Sequence, residues 1–126
     1  MHLLVCCRAV KKLALATVVL VACSVALSAC GGPPEDASKK SFCAQLKQVN
    51  DEKSWKRAKA EVLRFRDLGT PQGIPEDARE GFVELVGYTE AAGSRAALTR
   101  KVEGLGKADR ADLNAFDEYV TTTCAG

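Results

Sequence analysis

The chain has 126 residues, with 18 Lys and Arg, 16 Asp and Glu, one histidine and a formal net charge of +2, a length that sets one domain as the ceiling. The charge is unevenly spread. Residues 1–29 carry Arg8, Lys11 and Lys12 and no acidic residue, so the remainder of the chain has 15 basic and 16 acidic residues and a net charge of −1. There the two signs are interspersed without a basic stripe, which argues against an extended nucleic-acid footprint.

The first element is a targeting segment. "MHLLVCCRAVKK" supplies a basic n-region, and the next run, "LALATVVLVACSVAL" over Leu13–Leu27, contains no charged residue. As a helix these 15 residues would cover roughly 22 Å, against a hydrocarbon core of about 30 Å. That suits a signal-peptide h-region better than a membrane span. A retained membrane helix, with the run stretched to Ala29, is the longer alternative.

The run ends in Leu27-Ser28-Ala29-Cys30, which resembles the lipobox of bacterial lipoproteins: a leucine, two small residues and then a cysteine. The resemblance implies a diacylglycerol thioether on Cys30 and cleavage between Ala29 and Cys30. It also implies a bacterial source and a site on the outer side of the cytoplasmic membrane. The chemistry suits the residues, since a thiol is the best available nucleophile for such alkylation and small side chains let a peptidase approach the backbone. Two acyl chains would hold a small domain at a bilayer, each buried CH2 contributing about 0.8 kcal/mol. The competing reading is an ordinary signal-peptidase site ending in "LSA", with Cys30 incidental. In either case Cys6, Cys7 and Cys23 leave with the signal. So does His2, the only histidine, which excludes a histidine-dependent triad, and a zinc or haem site with His ligation, from the mature chain.

"GGPPEDASKK", residues 31–40, reads as a flexible tether, with glycines for freedom, prolines for extension and charges to keep it wet. The expected division is a signal peptide over 1–29, a lipidated N-terminus and tether over 30–40, and a small helical domain over 41–126.

Beyond the tether, apolar spacing is helical. Phe42, Leu46 and Val49 place a short helix over about 39–50, with Cys43 on the adjoining strip. Asn50 reads as the N-cap of a second helix in "DEKSWKRAKAEVLRFRDL", where Trp55, Ala58, Val62 and Phe65 share a face. Trp55 is expected to belong to the core, with an interfacial patch of Trp55, Lys56 and Arg57 as the alternative. "LGTPQGIP", residues 68–75, is a turn: Gly69 ends the second helix and Pro75 suits the first position of a third. Glu76 and Asp77 meet the unpaired N–H groups of its first turn, and Ala78, Phe82, Leu85, Val86 and Thr89 form its inward stripe. Ser94 caps a fourth helix, with Leu98, Val102 and Leu105 aligned. Asp109 is expected to cap the last, with Asp112 as a weak capping-box partner, and Leu113, Phe116, Val120 and Cys124 continue it at helical offsets. The phrase "DLGTPQGIPEDAREGFVELV" resembles a segment of small, mostly uncharacterised actinobacterial lipoproteins with paired cysteines at the domain ends. That resemblance implies no reaction and no catalytic residue.

Besides Cys30, the mature chain keeps Cys43 and Cys124. An exported protein meets an oxidising compartment, where an even pair usually bonds, so a structural disulfide across the domain is expected. With no CxxC motif, a thioredoxin-like role has no support, and two isolated thiols make no metal site.

The remaining polar features are weak as sites. Adjacent carboxylates at Asp51/Glu52, Glu76/Asp77 and Asp117/Glu118 point in different directions on a helix, and "GLGKADRAD" lacks the spacing of a phosphate or calcium loop. Lys39, Lys40, Lys53, Lys56, Arg57 and Lys59 could meet anionic headgroups or cell-wall polymer, or simply form a solvated face. The reading is an all-α bundle of four to five helices, disulfide-stapled and lipid-anchored. It needs no cofactor or metal, and its role is structural or partner-binding at the envelope rather than enzymatic. The alternative is a small apolar ligand or lipid-binding protein, with Gly87, Gly93 and the Pro/Gly turn shaping a groove. That alternative requires an internal or open pocket of at least a few hundred cubic ångströms between helices, whereas the first reading requires a filled core.

Overall fold

Each of four helices brings one phenylalanine to a common centre, and these four are all the phenylalanines of the chain. The computed structural model describes residues 32–126. Over them the chain forms α1 (Lys39–Asp51), α2 (Trp55–Leu68), α3 (Glu76–Ala91), α4 (Arg95–Glu103) and α5 (Lys107–Cys124). An isolated parallel bridge joins Ala37 to Pro71. The fold is a small all-α bundle.

Phe42 of α1, Phe65 of α2, Phe82 of α3 and Phe116 of α5 are buried together. Their ring centroids lie 4.9 Å apart for Phe42–Phe65, 5.0 Å for Phe65–Phe82 and 5.6 Å for Phe82–Phe116. These are tilted and edge-on contacts, the arrangement aromatic quadrupoles favour. Of the inward stripes expected for α2 and α3, Ala58, Phe65, Ala78, Phe82, Val86 and Thr89 are buried, whereas Trp55, Val62 and Leu85 are half-buried. α4 has no phenylalanine and buries no residue, and it packs as a peripheral element.

Side-chain contacts set the helix directions. Phe42 near the start of α1 meets Phe65 near the end of α2, and Lys59 near the start of α2 reaches the carbonyl of Ala92 just past α3 at 3.2 Å, so α1 and α3 both run antiparallel to α2. One end of the bundle therefore gathers the start of α1, the 69–75 turn and the end of α5. The other gathers the α1–α2 and α3–α4 connections.

Helix limits obey local chemistry, with four departures from expectation: Pro75 stands at the N-cap of α3 and not at its first position, α4 ends at Glu103, short of Leu105, and two more concern Asn50 and Asp109. Ser38 caps α1 by accepting from the Ser41 N–H at 3.1 Å, and Ser94 caps α4 through the Ala97 N–H at 3.1 Å. α1, however, runs through Asn50 to Asp51, and Ser54 takes the N-cap position of α2. Val49 packs on the core and holds the last turn of α1 helical, so Asn50 is not available as a cap. Similarly, Gly106 and not Asp109 stands at the N-cap of α5. Asp109 falls inside the first turn, where its charge still faces the positive end of the helix, and Asp112 lies too far along to close a capping box.

The largest departure is at residues 32–38. In place of the expected flexible tether, this stretch lies on the bundle as a strap. Thr70 N–H donates to the Pro34 carbonyl at 2.9 Å, and Ala37 N–H donates to the Thr70 carbonyl at 3.1 Å. The Arg79 guanidinium donates to the Pro33 carbonyl at 2.7 Å and to the Thr70 hydroxyl at 3.1 Å, and it pairs with Glu35. Thr70 is fully buried, so its backbone groups require partners inside the protein, and the strap supplies them. Gly69 permits the close approach: its φ is +82°, and any side chain there would collide with the Pro34 carbonyl.

Candidate functional site

The Cys43–Cys124 disulfide is formed, with Cα atoms 5.4 Å apart. It joins the first turns of α1 to the last residue of α5, beside Phe42, Tyr119 and Val120. The lipobox residues Leu27, Ser28, Ala29 and Cys30 lie outside the described residues.

The carboxylate pairs are dispersed and engaged locally. Asp51 pairs with Lys47, Glu52 with Arg57 at 3.7 Å, and Asp77 accepts from the Ala78 N–H at 2.8 Å. Asp117 and Glu118 are exposed. Among the described residues no group of three or more His, Cys, Asp or Glu is arranged to hold a metal ion, and no helix is long and apolar enough to cross a membrane. The cations expected to act together are divided. Lys39 and Lys40 begin α1 at the strap end, whereas Lys53, Lys56, Arg57 and Lys59 lie at the opposite end, around the start of α2.

Glu84 is the one carboxylate in an unusual setting. It is half-buried on α3, and its Oε2 has no hydrogen-bond partner among the described residues. Burial raises its pKa above the usual carboxylate range, and the charges of Asp109, Asp112 and Glu80 add to the shift. It borders an open, acidic depression that also includes Glu35, Glu76 and Glu80.

The feature that could receive a molecule lies inside the bundle. A partly open cavity of about 190 Å³ lies among α1, α2, α3, α5 and the start of α4, lined by Phe65, Phe82, Val86 and Phe116 together with Leu46, Val62 and Leu98. Thr89 is the polar side chain in its buried lining, and its hydroxyl donates to the Leu85 carbonyl at 2.8 Å, which leaves the interior effectively apolar. Asn50 and Arg95 are exposed and Trp55 is half-buried, so these three mark the mouth. Arg95 crosses it to donate to the Glu52 carbonyl at 3.0 Å. Trp55 is thus outside the buried core, at the mouth, with exposed Lys56 and Arg57 beside it in the chain. Gly87 and Gly93, expected to shape a groove, face open space outside the cavity lining. Small and β-branched residues at positions such as Ala58, Val62 and Val86 leave the space instead.

No family model, no curated protein and no solved structure matches this chain.

Proposed function

We propose that this chain is a bacterial lipoprotein, held by acylated Cys30 on the outer face of the cytoplasmic membrane, where its helical domain acts by binding rather than by catalysis. The sequence basis is Leu27–Cys30 after a basic n-region and an apolar run. The observation that carries export is the Cys43–Cys124 bond, because such bonds persist in oxidising compartments. Its partner there is the bilayer through the anchor and, through the exposed helical faces, an envelope protein or cell-wall polymer. Intact mass of the protein from the native membrane fraction, before and after reduction and alkylation, tests this reading. The expected species begins at Cys30, carries acyl mass and gains two alkylated thiols only after reduction. An unmodified chain beginning at Cys30, or one retaining residues 1–29, would sink the anchor.

A second reading, binding of a small apolar ligand, is favoured by the cavity between α1, α2 and α3. Its volume falls below the roughly 300–1,000 Å³ of pockets for drug-sized ligands, which limits the occupant to a small molecule.

A further inference from the structure

Resting on that second reading, we infer that the cavity is a site for a small anionic amphiphile: an apolar body of one aromatic ring or a short chain, with a carboxylate at the mouth beside Arg95. Size sets the body. A cavity of about 150 Å³ with aliphatic and aromatic walls admits benzene, so about 190 Å³ accommodates roughly eight carbons by the same scale. A long acyl chain does not fit within it.

Charge sets the head. Arg95 lines the mouth, and its bond to the Glu52 carbonyl engages a neutral acceptor. A guanidinium has five N–H donors in a planar fork suited to a carboxylate. Arg95 is also the first residue of α4, so the positive end of that helix points the same way. Around Trp55, Lys53, Lys56 and Arg57 are exposed, and this end of the bundle is more basic than acidic. The interior offers a carboxylate no donor, because the Thr89 hydroxyl proton is already given to the Leu85 carbonyl. The apolar end therefore enters first and the charge stays at the rim. α4, through Arg95 and Leu98, forms one side of the entrance.

The test is an NMR titration of the full lipidated chain in bilayer nanodiscs with octanoate, 1-octanol and palmitate, reading the methyl signals of Val62, Leu85 and Val86 and the Trp55 indole. Empty nanodiscs correct for partitioning. The expected result is saturable shifts for octanoate and octanol, with octanoate about tenfold tighter and palmitate without effect on the Val86 methyls. Arg95→Gln, at an exposed position, should remove the preference for octanoate while leaving octanol affinity unchanged. Ala58→Leu should fill the cavity and abolish both, with the native signals of Phe42 and Ala78, buried outside the cavity lining, reporting that the fold persists. Equal affinity for octanoate and octanol in the unaltered protein would overturn the anionic head and leave ligand binding standing. No saturable shift with any probe would overturn both. Palmitate shifting the Val86 methyls as octanoate does would overturn the size limit.

Discussion

Gly81 and Gly87 lie on the same helix and respond in opposite ways to an added methyl group. A Cβ at Gly81 would collide with the Asp112 carbonyl of α5, whereas one at Gly87 meets open space. Gly81→Ala should therefore push α3 and α5 apart and destabilise the fold by roughly 1–3 kcal/mol. Gly87→Ala removes an exposed mid-helix glycine and should stabilise it by about 0.5–1 kcal/mol. Urea unfolding of the two variants measures both signs at once. Glu84 adds a pH dependence. Its folded pKa is raised by burial and by Asp109, Asp112 and Glu80, so the folded state holds the proton more tightly than the unfolded chain. Stability from this group is present at low pH and is lost as pH rises through the folded value. Glu84→Gln should accordingly be more stable than the parent near pH 7, with the difference shrinking at acid pH as the parent carboxyl takes up its proton. Parallel unfolding curves at neutral and acid pH would show it, and a constant difference would contradict the assignment.

At the scale of elements, what was legible in the sequence was whatever repeats at helical spacing. Phe42, Phe65, Phe82 and Phe116 stand in apolar stripes, and the structure buries all four. Ser94 was legible because its capping oxygen acts within three residues. The limits that were misread depend on distant contacts: α1 continues past Asn50 because Val49 meets the core, and no local signal carries that. The strap was hidden for a related reason. "GGPPED" has the composition of a linker, and it docks only because Gly69, Thr70 and Arg79, more than 30 residues away, present a matching set of donors, acceptors and space. The cavity was illegible because a void is set by which side chains face one another across helices. The disulfide, by contrast, could be read from cysteine number and compartment. It closes a loop with a sequence separation of 81. The chain-entropy model assigns such a closure about 4.5 kcal/mol, a large share of the margin available to a domain this small. Cys43→Ser combined with Cys124→Ser should lower stability by an amount of that order and loosen the last turn of α5 first, where Thr121, Thr122 and Thr123 are poor helix formers. Hydrogen exchange at those amides, compared with Phe116, measures the local part of the effect.

For the whole molecule, the strap decides how the bundle stands if Cys30 is acylated as proposed. Gly32 is two residues from Cys30, a reach of at most about 7 Å, and from Pro33 onward the chain is fastened to Thr70 and Arg79. The strap end of the bundle must then lie close to the headgroups. The start of α1, the 69–75 turn and the end of α5 belong to that end, whereas the cavity mouth at Asn50, Trp55 and Arg95 belongs to the other. α2 alone, with 14 residues, separates the two by about 21 Å. Charge is not needed to hold this attitude: Glu35, Asp36, Asp67, Glu76 and Asp77 at the strap end offset Lys39, Lys40, Arg66 and Arg79. In nanodiscs doped with a headgroup spin label, amides of Gly73, Glu76 and Ala125 should broaden strongly, and those of Ser54, Gly93 and Arg95 should stay sharp. Arg79→Ala removes the bonds to Pro33 and Thr70 and the pair with Glu35, and it should even out the broadening by freeing the tether. Uniform broadening in the unaltered protein would mean that the strap does not orient the domain. The predicted pattern would instead present the basic, apolar-lined mouth to the envelope rather than to the bilayer, so that its ligand arrives from the aqueous side.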